Sequence, residues 1–166
     1  EWRKHDCVFE AFEIRMARIK QFEVLLAMHR CIGIDASVFI YLFEESPAYG
    51  LLCAKVFDSA SAEHSRLVAS SIALSEVLVQ LLQQKNAEVV ALCEHAFRSI
   101  PRFSVITVDY DVARAAATLR AEYSILLPDA LHIACALKAG ATLFITNDKK
   151  LKRVKDITVA CLADYV

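Results

Sequence analysis

Glycine and proline are nearly missing from this chain, at three residues each in 166. Such scarcity argues against a disordered or low-complexity polypeptide and for a globular protein rich in helix. An excess of charge is missing too: the formal net charge is −1, so the chain has no general attraction to polyanions. Any nucleic-acid contact then needs a local basic patch or metal ions. The longest apolar stretches are broken by charged residues well before they could span a bilayer, which excludes a membrane helix. No internal repeat or long linker divides the chain. The six cysteines, at 7, 31, 53, 93, 135 and 161, include no Cys-x-x-Cys pair, and no signal peptide precedes them. A disulfide framework or zinc site is disfavoured, and the cysteines read as small buried hydrophobes in a reducing cytosol. A first residue of Glu rather than Met suggests a cleaved tag or trimmed terminus.

What is present suits one domain with a substantial core: 57% of residues are hydrophobic and 23% charged. Residues 8–28 have the spacing of an amphipathic helix, with Phe9, Phe12, Met16, Ile19, Phe22 and Leu26 on one face. "CIGI" (31–34) is a short β-like run leading to Asp35, followed by helical patterns at 37–44 and 48–62 and a strand at 66–70. Residues 71–84 form a helix whose stripe is Leu74, Val77, Leu78, Leu81 and Leu82. A helix over 86–99 ends at Pro101, and "FSVIT" (103–107) reads as a strand. Asp109 is placed to cap a helix over 110–123. Pro128 and Gly140 bracket the next helix, and "TLFIT" (142–146) and "ITVAC" (157–161) are the last strands. Short apolar strands alternating with helices predict an α/β protein with a mainly parallel sheet covered on both faces.

In such sheets ligands bind beyond the carboxyl ends of the strands, where Asp35 and Asp148 both fall. Asp129 lies in the first turn of its helix, where the dipole favours an anion. Each acid alone has an ordinary explanation: Asp35 and Asp129 as helix-start residues, Asp148 as a turn residue. Three acids converging on one sheet edge would repel one another, and a divalent cation with a taste for oxygen ligands removes that cost. Spacing therefore points to metal-assisted phosphoryl transfer.

Four segments, "IGIDASVFIYLFE", "ALSEVLVQ", "LLPDALHIACALKAGA" and "LFITNDKKL", occur in the order seen in PIN-domain nucleases. From about residue 32 onward the chain resembles that family, and within it the VapC-type toxin ribonucleases of toxin–antitoxin systems. The resemblance implies a three-layer α/β/α sandwich in which Asp35, Glu76, Asp129 and Asp148 bind Mg²⁺ or Mn²⁺ and cut RNA. It also implies that Ser37, Thr146 and Asn147 orient ligands or metal-bound water, that the protein is a cytoplasmic dimer, and that an antitoxin is its partner. Residues 30–166 would be the nuclease domain and 1–29 a helical extension.

Glu76 is the acid that the pattern supports least, since it lies almost opposite the Leu74–Leu82 stripe and reads by default as a surface residue. His132, one turn beyond Asp129, could face the cleft or simply pack. Asp109 and Asp111 are explained by capping and exposure and stay outside the site. "KKLKRVK" (149–155) is the one dense basic run. Lys149, Lys150, Lys152 and Arg153 could hold RNA phosphates, or form a solvated turn; Arg114 and Arg120 are further phosphate candidates. The extension could pack on the domain, join a dimer, or lie across the cleft like an antitoxin segment, offering Arg15 or Arg18. Two other functions compete: a PIN-fold interaction module without catalysis, and a haloacid dehalogenase-like phosphatase. The latter needs a second Asp where Ser37 stands.

Overall fold

The computed structural model describes residues 2–83, 85 and 87–166, with the side chains of all these except 2–9, 11 and 80. Five parallel strands, β1 (Cys31–Ile34), β2 (Arg66–Ser70), β3 (Phe103–Ile106), β4 (Leu143–Thr146) and β5 (Thr158–Cys161), form one sheet in the order β3-β2-β1-β4-β5. Seven helices accompany them among the described residues: α1 (Trp2–Ala27), α2 (Ala36–Phe43), α3 (Gly50–Ser61), α4 (Ser71–Gln83), α5 (Ala87–Ser99), α6 (Tyr110–Tyr123) and α7 (Leu127–Lys138).

The pleat of the strands sorts their side chains onto two faces. Ile32, Ile34, Leu67, Ala69, Leu143 and Ile145 join a core with α1 to α5, built around Phe22, Phe39, Leu52 and Val56. Cys31, Val68 and Phe144 point the other way, into a core with Val112, Ala116 and Leu119 of α6 and Ala130, Ile133 and Ala136 of α7. The result is the expected α/β/α sandwich. None of the described helices is long and apolar enough to cross a membrane.

Two local signals act as the sequence implies. Asp109 accepts the Val112 N–H at 3.1 Å and starts α6, while its other oxygen meets Lys138. Gly140, at φ +78°, ends α7: its N–H donates to Leu137 O and that of Ala141 to Ala136 O, both at 2.9 Å. This left-handed termination satisfies the last carbonyls and favours glycine.

Two apolar stripes are shifted from their sequence reading. On α1, Ile19, Phe22 and Leu26 are buried, but Phe12 and Met16 are exposed, and the Phe9 side chain lies outside those described. Among the described side chains, α1 meets the core through Ile19, Phe22 and Leu26, and Phe22 packs on Tyr165 with ring centroids 4.9 Å apart. On α4 the innermost residues are Ala73 and Val77, whereas Leu82 is 59% exposed. Because α4 contacts α7 as well as α2 and α5, its buried side is centred on small Ala73 rather than on the leucines.

Candidate active site

The strand order decides what lies beside what. After β1 the chain builds β2 and β3 outward on one side, then returns to place β4 on the other side of β1. The carboxyl ends of β1 and β4 thus form a topological switch point, and Asp35 and Asp148 follow those two strands. The Asp35 N–H donates to Ile145 O at 3.0 Å, extending the β1–β4 pairing to the acid itself.

Asp35 is held by three donors. Its Oδ1 accepts the Ala36 N–H at 2.8 Å, and its Oδ2 accepts hydroxyls from Ser37 at 3.0 Å and from fully buried Thr146 at 2.8 Å. A carboxylate offers about four lone-pair sites, so roughly one remains for a ligand. The Thr146 hydroxyl oxygen also accepts the Asp148 N–H at 3.1 Å, so one side chain ties both acids together. Asp148 in turn accepts the Lys150 N–H at 2.8 Å and opens a short 3₁₀ turn over Lys149–Arg153.

Asp129 stands half-buried in the first turn of α7, just after Pro128. Its carboxyl titrates above the ordinary aspartate range. Burial is the main cause, followed by the charges of Asp35 and Asp148 and, more weakly, Glu76, with His132 acting in opposition. One carboxyl senses the other three acids, so all four share one cleft. Glu76 reaches it from α4, where its Oε2 lies 3.1 Å from Nε2 of buried His132, itself 3.8 Å from Asp35 Oδ1. Ligand atoms of Asp35, Glu76 and His132 all lie within 4.8 Å of one another. A cavity of about 490 Å³ between α2, α4 and α5 is mainly apolar and contains none of these acids.

Kinship follows from the sequence matched to this architecture: the PIN domain profile covers residues 32–157, most of the chain. The chain belongs to the PIN domain family. The matched stretch holds all four acids and leaves α1 outside. Solved structures with the same fold include VapBC2 from Rickettsia felis, bound to a DNA fragment from its promoter. It is 20% identical with a TM-score of 0.63, covering 79% of this chain and 98% of that one. VapBC-1 from nontypeable Haemophilus influenzae is 19% identical with a TM-score of 0.61, over 80% and 98%. A toxin–antitoxin complex from Klebsiella pneumoniae is 22% identical with a TM-score of 0.57, over 80% and 97%. At these identities the likeness is one of fold. Comparison with curated protein sequences gives no match.

Several residues do not stand where the sequence reading puts them. The Asn147 amide does not meet the acids: it donates to the Tyr41 hydroxyl at 3.1 Å and accepts the Ala163 N–H at 3.0 Å, tying β4 to α2 and the C-terminal turn. Its side chain is consumed by the scaffold because β4 ends between those two elements. Lys152 pairs with Asp164, and Arg153 donates to the carbonyls of Lys150 at 2.9 Å and Tyr123 at 3.4 Å. Lys150 and Arg153 line a cavity of about 140 Å³ with Asp129 and Asp148. Arg15 and Arg18 do not reach the acids: they donate to Pro47 O and Val166 O, because α1 packs along α3 and the C-terminus. The antitoxin-like placement of α1 across the cleft is therefore not seen. His132 is the residue that the periodicity undervalued. It looks like a packed helical histidine, and it is one, yet its ring edge meets two of the acids.

Proposed function

We propose that this PIN-domain chain is a metal-dependent endoribonuclease that hydrolyses RNA phosphodiester bonds, and that it is the toxin of a toxin–antitoxin pair. The observation that carries this reading is the gathering of carboxylates at the switch point: Asp35 and Glu76 offer ligand atoms within 4.8 Å of one another, Thr146 ties Asp148 to Asp35, and Asp129 lines one cavity with Asp148. Such crowding is costly unless a cation offsets it. The donors are hard oxygens, which suit Mg²⁺ or Mn²⁺.

Asp35, Glu76, Asp129 and Asp148 would hold the ion, which when bound activates water and neutralises charge on the scissile phosphate. The remaining work belongs to the chain. Ser37 and Thr146 fix the plane of the Asp35 carboxylate, so less conformational freedom is lost when a ligand arrives. Thr146 keeps Asp148 in register with Asp35 through its backbone. Lys149 and Lys150, exposed on the turn after Asp148, hold flanking RNA phosphates, with Lys152 and Arg153 adding positive potential beside them. Asn147 serves the site indirectly, by anchoring the end of β4. A cognate antitoxin belongs to the same reading, supported by the toxin–antitoxin complexes that share the fold, and a homodimeric state and a cytoplasmic location complete it.

The test is cleavage of total cellular RNA by purified protein with Mg²⁺ or Mn²⁺, set against EDTA and Asp35→Asn. Metal-dependent cutting lost in the variant is the expected result. A catalytically silent module is separated by thermal stability. Mn²⁺ at a hundred times its Kd adds about 2.7 kcal/mol, or roughly 5–10 °C in Tm for a chain of this length. That gain should vanish in Asp35→Asn. A wild-type chain with neither cleavage nor Mn²⁺ stabilisation would end the enzyme reading.

A further inference from the structure

Asp35, Glu76 and His132 form a trio that looks able to bind a metal through the imidazole. Such a nitrogen-containing set would suit Zn²⁺ or another ion that takes imidazole. The hydrogen bonding around His132 argues for a different role, and the argument rests on the nuclease reading only for what Glu76 is held to do.

Ser70 ends β2, is 2% exposed, and places its Oγ 2.6 Å from His132 Nδ1. The same oxygen accepts the Ala73 N–H at 3.2 Å, so one of its lone pairs is taken and its proton is available to the ring. At the far edge of the ring, Nε2 is 3.1 Å from Glu76 Oε2. An ionised carboxylate can only accept, so the nitrogen facing it must carry a hydrogen. A neutral ring then has its proton on Nε2 and accepts the Ser70 hydroxyl at Nδ1. In the reverse tautomer, lone pairs would confront each other at Nε2 and Glu76. Even a doubly protonated ring keeps the Nε2 hydrogen. In each state allowed without a cation between the two side chains, that nitrogen has no lone pair to give a metal.

We infer that His132 is a positioning residue rather than a metal ligand. Ser70 sets its tautomer, and its Nε2–H holds Glu76 Oε2 in the cleft. The need is physical. Glu76 is a long side chain with 38% of its surface exposed, entering from α4, and would otherwise lose considerable rotamer freedom on joining the site. Clamped at Oε2, it keeps Oε1 for the cation. The metal site is accordingly all-oxygen, although a histidine stands inside it. The helix α7 thus supplies both Asp129 and, one turn on, the donor that recruits the acid of α4.

The experiment has two parts, both on the full chain. Long-range ¹H–¹⁵N NMR correlations on metal-free, ¹⁵N-histidine-labelled protein report which ring nitrogen of His132 carries hydrogen. Protonated Nε2 is expected, and an unprotonated Nε2 would overturn the assignment. Mn²⁺ affinity is then measured by calorimetry for H132Q, H132L and S70A, with Tm as a check on folding. Loss of an outer-shell partner commonly weakens metal binding about 10- to 100-fold, which is expected for H132L, with a smaller loss in S70A. H132Q, whose amide N–H can replace Nε2–H, should stay within roughly threefold of wild type. A folded H132Q as weak as H132L would overturn the proposal. A wild-type chain that bound no Mn²⁺ would refute the nuclease reading instead. The tautomer, read without metal, still decides the role of His132.

Discussion

Replacing Gly33 by alanine should damage the acid cleft more than it damages the fold. Gly33 sits in β1 on the face covered by α7, two residues before Asp35. A Cβ built there would lie 2.5 Å from Ala136 Cβ and 2.9 Å from Phe144 Cδ2. Carbon atoms settle at about 3.5–4.0 Å, so α7 must retreat by about 1 Å to admit the methyl group. Ala136 Cβ is fixed to its helix backbone and cannot swing aside, and Phe144 is buried between layers. Overpacking of this kind costs about 1–3 kcal/mol, or roughly 2–12 °C in Tm at this chain length. The same 1 Å shift separates Asp129 and His132, both on α7, from Asp35 on β1. Misplacement on that scale can cost on the order of a hundredfold in rate.

Thermal melts in EDTA, Mn²⁺ calorimetry and RNA cleavage on Gly33→Ala would measure the two effects separately. The double variant Gly33→Ala/Ala136→Gly removes one of the two colliding carbons. It should recover most of the metal affinity while keeping a cost of about 1 kcal/mol for glycine inside a helix. If Gly33→Ala lost stability yet kept wild-type Mn²⁺ affinity, the idea that β1–α7 packing sets the spacing of the acids would be wrong. If the double variant failed to recover, the offending contact would have been misidentified.

Three further outcomes follow from the packing and charge. Asp129→Asn should raise Tm in EDTA near neutral pH. Burial and its acidic neighbours lift the Asp129 titration above the ordinary value near 3.8, so its stabilising contribution is complete below that value and is lost as pH rises through the folded titration. Melts from pH 3.5 to 7.5 should show the variant's advantage growing with pH, and a constant offset would contradict the electrostatic account. Phe22→Ala should cost about 3–5 kcal/mol, read by urea denaturation, because Phe22 is fully buried against Tyr165. A loss under 1 kcal/mol would mean that α1 rests on the domain without joining its core. Cys53 and Cys135, whose thiols burial pushes up to about 12 and about 11, should resist Ellman's reagent at pH 8 until denaturant is added. Rapid labelling of the native chain at either would refute that placement.

How far the sequence could be read depends on whether the deciding interaction was local. The strand–helix alternation is local, and so are the Asp109 cap and the Pro128–Gly140 bracket of α7, all found as the pattern implies. Short apolar strands alternating with helices implied a sheet covered on both faces, and two cores are present. The strand order is not local. Nothing in "CIGI" or "LFIT" states that β4 returns beside β1, and that return is what sets Asp35 next to Asp148. The stripe on α1 is buried at Ile19, Phe22 and Leu26 but exposed at Phe12 and Met16: periodicity gives the apolar face of a helix, but not how much of its length the fold covers. Phe12 has the same spacing as Phe22 and lies 60% exposed.

Glu76 and His132 show the same limit inside the site. On α4 alone, Glu76 faces away from the leucines and should be solvated. On α7 alone, His132 interrupts an apolar helix and looks like a tolerated core polar group. Each reading is correct for its own helix. What neither contains is that Ser70, two strands away from β4, fills the gap between those helices and orients the ring. Once β2 delivers Ser70, His132 has a donor behind it and a hydrogen to offer in front, and Glu76 becomes the acceptor that satisfies it. Burial of the imidazole and partial burial of the glutamate are then one event rather than two. Sequence periodicity could not weigh that event, because its three members lie on three elements and none of them earns its position alone.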